Sequence, residues 1–447
     1  MNKDTNIRVK TPVGYSDYTD VEETLGQGTN ESAVISSTNL SGGVTQHFAD
    51  SNCEVVYAGL PMAPCMFVDD VARLAEDLES VQEGNDRMER MAEEKLLDFN
   101  FTKSCAIIIG GKRYKRIIRD KFSVKPVTLC GNQVRLSEGE KWLGDFICSS
   151  LPQSVLVTVQ RRQGLVKRLI SEIKVTVDDF RNQVKGGILT GIEIWNLAVI
   201  PFLYFNCECW TEIPKKAIRL LNLLQSSFFC QLFQVPQSCP TAGYLWDTKT
   251  LKPENYIILR KLLFYHHLAN LDDSCLAKEA FLIQKNRMDM KGLVRECEAF
   301  LVDLGVVCEP TSLSKHQWRR LIREKVDQRN QKNLLDQIKT YKKLDYNQLA
   351  KEEYEVKPCL SNMTVPMART YFALRTSMLK TVQMNYKHVP EYQANQWKCV
   401  CGQPDYQAHL ETCSSYLHLQ NGLNMQHDAD IVKFYQLVIK ERTENGD

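Results

Sequence analysis

The sequence predicts an α+β protein, and three observations carry that prediction. Short β-branched and aromatic runs share the first third with a helical stretch, and from about Val155 onward apolar residues recur mostly at helical spacing. A compact cluster of cysteines and a histidine lies near the C-terminus. With 447 residues the chain can build two or three domains, each with its own core. Hydrophobic residues at 43% and charged residues at 25% exclude wholesale disorder.

Glu54-Val55-Val56-Tyr57 and Met66-Phe67-Val68 predict short strands on either side of a Gly- and Pro-containing connector, Ala58 to Cys65. Met88, Met91, Ala92 and Leu96 recur at helical spacing and predict a helix from Glu76 to Asp98. Cys105 to Ile109 is a β-branched run closed by Gly110-Gly111, and further short strands are expected through Ile147, with Gly110-Gly111-Lys112-Arg113 as a basic turn. Arg162 to Phe180 and Lys215 to Phe233 have amphipathic spacing, and Pro236, Pro240 and Pro253 punctuate the connections. Leu197 to Phe205, interrupted by Pro201, reads as buried core. His266-His267 reads as a core or half-buried pair in an apolar helix rather than as ligands. Charged helices are expected from Ser312 to Tyr341, and a short helical tail after the Cys/His cluster.

A formal net charge of +2 gives no global basic field, so any surface for nucleic acid must be local. Three sets qualify: Lys112, Arg113, Lys115, Arg116, Arg119, Lys121 and Lys125; Arg161, Arg162, Lys167 and Arg168; and Arg319, Arg320, Arg323 and Lys325. Clusters of this kind are most often solvated faces. The 16 cysteines are scattered through a long chain, and Met1 to Tyr18 is polar, unlike a secretory signal. A reduced intracellular compartment is expected, nuclear or cytoplasmic, with thiols free or bound to metal. No run is long and apolar enough for a membrane span.

Phe67-Val68-Asp69-Asp70 sets two adjacent carboxylates between an apolar strand and a second one, Val71 to Leu74, a tight hairpin with acids at its tip. A polymerase holds two Mg²⁺ ions about 3.5–4 Å apart on such hard oxygen ligands. An acidic turn is the commoner explanation of Asp-Asp alone. Its neighbours change the balance. Gly26-Gln27-Gly28 precedes it, Asn100-Phe101-Thr102-Lys103 follows, and Trp142-Leu143-Gly144 ends a hairpin-rich stretch.

Four weak motifs in this order resemble the reverse transcriptase domain of non-LTR (LINE-like) retrotransposons, and the resemblance continues through the apolar, Pro-containing stretch from Pro201 to Trp210. It implies a right-hand polymerase: a partial palm over residues 1–150, then a helical thumb and connection over 151–275. A helical C-terminal region (276–395), a CCHC-type zinc knuckle (396–420) and a tail helix (421–447) would complete the chain. On that resemblance Asp69 and Asp70 would bind Mg²⁺, and Lys103 would assist the pyrophosphate leaving group. Gly26, Gln27 and Gly28 would lie near template and incoming deoxynucleoside triphosphate, and Trp142, Leu143 and Gly144 would hold the primer end. The partners implied are an RNA template and a DNA primer or target. The family has a further metal-binding Asp upstream of the Gln-Gly element. Only 25 residues precede Gly26 here, and Asp4, Asp17 and Asp20 lie too close to it and lack the strand context. The expectation is therefore a polypeptide truncated upstream, with little polymerase activity alone. A palm lacking strands would also leave exposed edges and fold poorly in isolation. A non-catalytic nucleic-acid-binding protein is the alternative.

Cys399-x-Cys401, His409 and Cys413 bring three thiols and an imidazole into a short span, a reasonable tetrahedral Zn²⁺ set. The Cys-x-Cys spacing is tighter than the usual Cys-x-x-Cys, and His418 is an open alternative ligand. Asp405 to Cys413 resembles the second half of the family's C-terminal knuckle. Lys398 and the Tyr406 ring would be its contacts to phosphate and base.

Overall fold

The computed structural model describes residues 5–7, 10–11, 14–15, 19–21, 48, 55–57, 59–62, 64–67, 70–95, 97–180, 184–287, 291–341, 352–376, 379 and 398–445. The protein is a mostly helical α+β chain with small sheets, divided into two compact units, Met1–Glu140 and Lys141–Asp447.

In the first unit the described strands pair only two by two. Thr5–Ile7 pairs with Thr19–Val21, Lys10–Thr11 with Gly14–Tyr15, and Val56–Tyr57 with Leu60–Pro61, all antiparallel. Cys65–Phe67 pairs antiparallel with Asp70–Ala72, and Phe67 faces Asp70. The expected hairpin is present, with Asp70 opening the second strand rather than sitting at the tip. The helix Leu78–Lys95 buries Met88, Met91 and Ala92, the face that the spacing predicts.

The stretch after Gly111 departs from the expectation of strands. Lys112–Val124 is a helix, with Gly111 as its extended N-cap, burying only Ile118 and Phe122. The reason lies in the pairing around it. Cys105–Ile107 and Arg135–Ser137 are parallel partners. Parallel strands cannot be joined by a tight turn and need a crossover of a dozen or more residues, usually helical.

Among the described residues the second unit has three apolar cores. The first is built on the helices Leu151–Asp179 and Lys215–Phe233, with Gly187–Ile194, Thr241–Asp247 and Val365–Arg375 packed on them. Val155, Val159, Val166, Ile170, Ile173 and Val177 form its buried stripe. Gly191 lets the short helix approach closely, since a Cβ there would lie 2.8 Å from both Leu232 and Val177. Trp195 stacks on Phe228 at 4.3 Å between ring centroids. The chain then runs through a π-helical turn, Trp195–Val199, into Ile200–Leu203. The expectation of a wholly buried Leu197–Phe205 run is corrected here. Val199, Leu203 and Tyr204 are buried, but Leu197 is 79% exposed because the helical turn points it to solvent.

The second core joins Pro253–Ala269, Leu276–Asn286, Leu293–Asp303 and Lys315–Ile338. The last is one continuous helix opened by a capping box, Ser314 with Gln317. Trp318 is fully buried and donates to the Leu262 carbonyl at 2.9 Å. His266 is buried against Trp318 and bonded to the Leu313 carbonyl, while His267 is exposed. Asn330, fully buried, accepts from Lys252 N and Asn255 Nδ2 and donates to Thr250 O and the Tyr354 hydroxyl, so its amide is satisfied on both sides. The third core surrounds the Cys/His cluster. No helix among the described residues is long and apolar enough to cross a membrane.

Strands that pair only two by two cannot protect their amides as the helical core does. Hydrogen exchange is expected to be fast across 55–67 and slow across Lys215–Phe233; strong protection at 55–67 would contradict this.

Candidate metal centre

Cys399 and Cys401 sit on a tight reversal. The Cys399 carbonyl accepts from Gly402 N at 2.7 Å, and Cys399 N donates to the Gln403 carbonyl at 2.8 Å. Gly402 has φ +85°, a value that glycine takes without strain. This left-handed turn lets a Cys-x-Cys spacing point both thiols inward. The short helix Gln407–Leu410 then presents His409, and Cys413 follows one turn later.

The four ligand atoms lie within 4.8 Å of one another. Cys399 Sγ is 3.5 Å from Cys413 Sγ, and Cys401 Sγ is 3.1 Å from His409 Nε2. Sulfur and nitrogen at about 2.3 and 2.0–2.1 Å from a central ion would be separated by such distances, so the set fits Zn²⁺. Cys399 and Cys413 are buried, and Cys401 and His409 half-buried. Burial pushes the Cys413 thiol up to about 11. Burial acts to raise the Cys401 thiol too, but the Gln403 backbone and the neighbouring thiols outweigh it and hold it below its ordinary value. His418 is outside the set: it is exposed and pairs with Glu441 at 3.1 Å.

Two residues around this set had no signal in local spacing. Asp405 is fully buried and accepts both guanidinium nitrogens of Arg442, at 2.9 and 2.6 Å. Arg442 also donates to the Tyr416 hydroxyl and reaches Cys399 Sγ at 3.6 Å. Lys398 is exposed, and Tyr406 is 45% exposed beside His409.

The polymerase-like motifs are placed less completely. Gly26, Gln27, Gly28 and Asp69 lie outside the described residues. Asp70 and Lys103 are both exposed, and no hydrogen bond or ion pair among the described residues joins them. Asn100 folds its own loop, accepting from Thr102 Oγ1 and Lys103 N. Among the described residues, the metal-competent group is the Cys₃His set.

Trp142-Leu143-Gly144 has a definite geometry. Leu143 and Gly144 both have positive φ, as the central pair of a type I′ turn requires. The turn is held by Arg162, which is buried, a correction to its place in an expected solvated cluster. Its guanidinium donates to Gly144 O, Leu203 O and Phe205 O and pairs with Asp145 at 2.5 Å. The Phe205 and Trp210 rings flank it. Burial pushes the Asp145 carboxyl up, and Arg162 opposes that shift. One side chain thus joins the turn at 142–145 to the stretch from Pro201 to Trp210.

Comparison with models of protein families and with curated proteins gave no match.

The protein should take up one Zn²⁺ per chain, and Co²⁺ in its place should show tetrahedral absorption. His418→Ala should leave this unchanged, and Cys413→Ser should abolish it. Because bound ligands must be deprotonated, retention should weaken as pH falls; retention independent of pH would exclude thiolate ligation. Arg162→Ala should cost about 3–5 kcal/mol in chemical unfolding, by leaving Asp145 unpaired.

Proposed function

We propose that this chain is a homologue of non-LTR retrotransposon reverse transcriptases whose activity is nucleic-acid binding, carried by a zinc knuckle and local basic surfaces. The observation that carries the reading is the convergence of Cys399, Cys401, His409 and Cys413 on one point, beside an exposed lysine and a half-exposed tyrosine. Residues 399 and 401 on a tight turn and 409 and 413 at a short helix support a compact knuckle of the kind the resemblance implies. Zinc, when bound, would supply folding energy and fix the knuckle's shape. Lys398 is suited to phosphate, and the Tyr406 ring offers a face on which a base can stack.

A basic helix supports the same reading. On Lys112–Val124, Lys112, Arg113, Arg116, Arg119 and Lys121 are exposed. Arg119 pairs with Glu138, and Lys115 is half-buried. A row of cations along one helix contacts phosphates without reading sequence. The third basic set also has exposed members, Arg319, Arg320 and Arg323 on Lys315–Ile338.

In the family resemblance, Asp69 and Asp70 would carry Mg²⁺ for nucleotidyl transfer, with Lys103 at the leaving group and the turn at Trp142-Leu143-Gly144 against the primer. Asp70 opens the second strand of a two-stranded hairpin and is exposed.

Binding to a single-stranded RNA oligonucleotide should weaken steeply with salt. Replacing Lys112, Arg113 and Arg116 together by Ala should reduce the salt slope by up to about 0.7 for each phosphate no longer neutralised. Tyr406→Ala should cost about 1–3 kcal/mol if a base stacks there. Primer extension with Mg²⁺ or Mn²⁺ should be undetectable. Extension that disappears in the Asp69→Ala/Asp70→Ala variant would replace the binding reading with a catalytic one.

A further inference from the structure

The knuckle does not close on itself. Its apolar core is completed by Phe434, Tyr435 and Val438 of the helix Asp428–Asn445, which pack with Cys399, Leu410, Cys413 and Tyr416. The polar contacts run the same way. Tyr435 donates to the Gln407 carbonyl at 3.2 Å and to Glu411 at 2.6 Å. One turn beyond Val438, Arg442 grips the buried Asp405 with both ends of its fork and turns a nitrogen toward Cys399 Sγ. On its other side, Gln407 donates to the Leu374 carbonyl at 3.0 Å, which fastens the knuckle to the helix Val365–Arg375.

We propose that Arg442 is a positioning residue of the metal centre, and that metal binding and docking of the helix Asp428–Asn445 are one coupled event. The inference rests on the Cys₃His set holding a metal. Three thiolates around a divalent ion leave an excess negative charge at a buried place. A guanidinium held by a bidentate carboxylate sits where it can offset that charge and donate to one sulfur. Asp405 orients the arginine, and with neither group able to leave its pocket alone, the pair fixes the distance between tail helix and turn. Lysine would bring the charge without the fork that spans Asp405, Tyr416 and Cys399. Phe434 and Tyr435, on the buried face of the helix, belong to the same apolar core as two of the metal ligands. Removing the ion should therefore loosen the helix, and removing Arg442 should loosen the ion.

The test uses the full chain. Zn²⁺ affinity is measured by competition with a chromogenic chelator, and the Co²⁺ form is examined by absorption, for wild type, Arg442→Met, Arg442→Lys and Asp405→Asn. Arg442→Met and Asp405→Asn should weaken Zn²⁺ by about 10–100-fold. Loss of the N–H donor to Cys399 should shift the thiolate-to-cobalt charge-transfer band to longer wavelength, which a merely packing role would not do. Arg442→Lys should fall between, and gives a folded comparison if Arg442→Met is unstable. Hydrogen exchange across 428–445 should accelerate on metal removal. Unchanged affinity and spectrum in Arg442→Met and Arg442→Lys, or tail protection indifferent to metal, would overturn the coupling. Wild-type protein that takes up neither ion would instead overturn the metal centre itself, and the coupling with it.

Discussion

The buried stripe of the helix Leu151–Asp179 is the constraint on which the larger unit depends. Val155, Val159, Arg162, Val166, Ile170, Ile173 and Val177 follow one another at steps of three or four residues and all lie inside. At 29 residues the helix is about 44 Å long, enough to serve several elements in turn. It receives the Lys215–Phe233 and Gly187–Ile194 helices along its length, and just before its midpoint Arg162 takes the turn at 142–145 and the carbonyls of Leu203 and Phe205. A charge belongs in this stripe only because its guanidinium donors meet a carboxylate and three carbonyls there. An arginine without Asp145 or those carbonyls would be a buried cation without compensation.

That placement also shows what sequence could and could not reveal. Arg162 is three residues after Val159 and four before Val166, which puts it on the buried face. Its neighbour Arg161 drew it instead into a charged cluster by adjacency. Helical period, applied through charged residues as well as apolar ones, would have placed it. The same bias concealed the helix Lys112–Val124. Five of its first eight residues are cationic and only two side chains are buried, so the apolar pattern was too thin to register. Its existence follows from a long-range fact, the parallel pairing of Cys105–Ile107 with Arg135–Ser137, which no local pattern contains. By contrast, Leu78–Lys95 and Lys215–Phe233 were legible because their apolar residues alone carry the period.

The metal-ligand set was legible for a different reason. Four soft ligands within fifteen positions leave few arrangements, so spacing pointed to Cys399, Cys401, His409 and Cys413 while leaving His418 open, and the structure brings the first four together and pairs His418 with Glu441. The unusual Cys-x-Cys step is explained by Gly402 immediately after it, whose left-handed conformation reverses the chain within the space a longer loop would otherwise need. Asp405 and Arg442 were invisible as partners because 37 residues separate them and neither belongs to a repeating pattern. Local chemistry revealed the candidate ligands, and only packing revealed what holds them.

The larger unit obtains order in two different ways. Most of it has extended apolar cores, in which Trp195, Trp246 and Trp318 are fully enclosed, and its fold is set by area buried. The segment around Cys399–Cys413 has a smaller apolar core, and chemically specific contacts accompany it: the Cys₃His set, a forked ion pair and a tyrosine donating across to Glu411. Small modules of this size usually need a metal or a disulfide, and none of the described cysteines is joined in a disulfide. A metal ion at the turn, as proposed, and the helix packed over it would solve the same problem from two sides. On the proposed coupling, the ion would fix the thiols in one geometry, and the helix would keep water from them and bring the compensating cation. Either alone would leave charge or apolar surface exposed to the wrong medium, so on that proposal the tail is part of the centre.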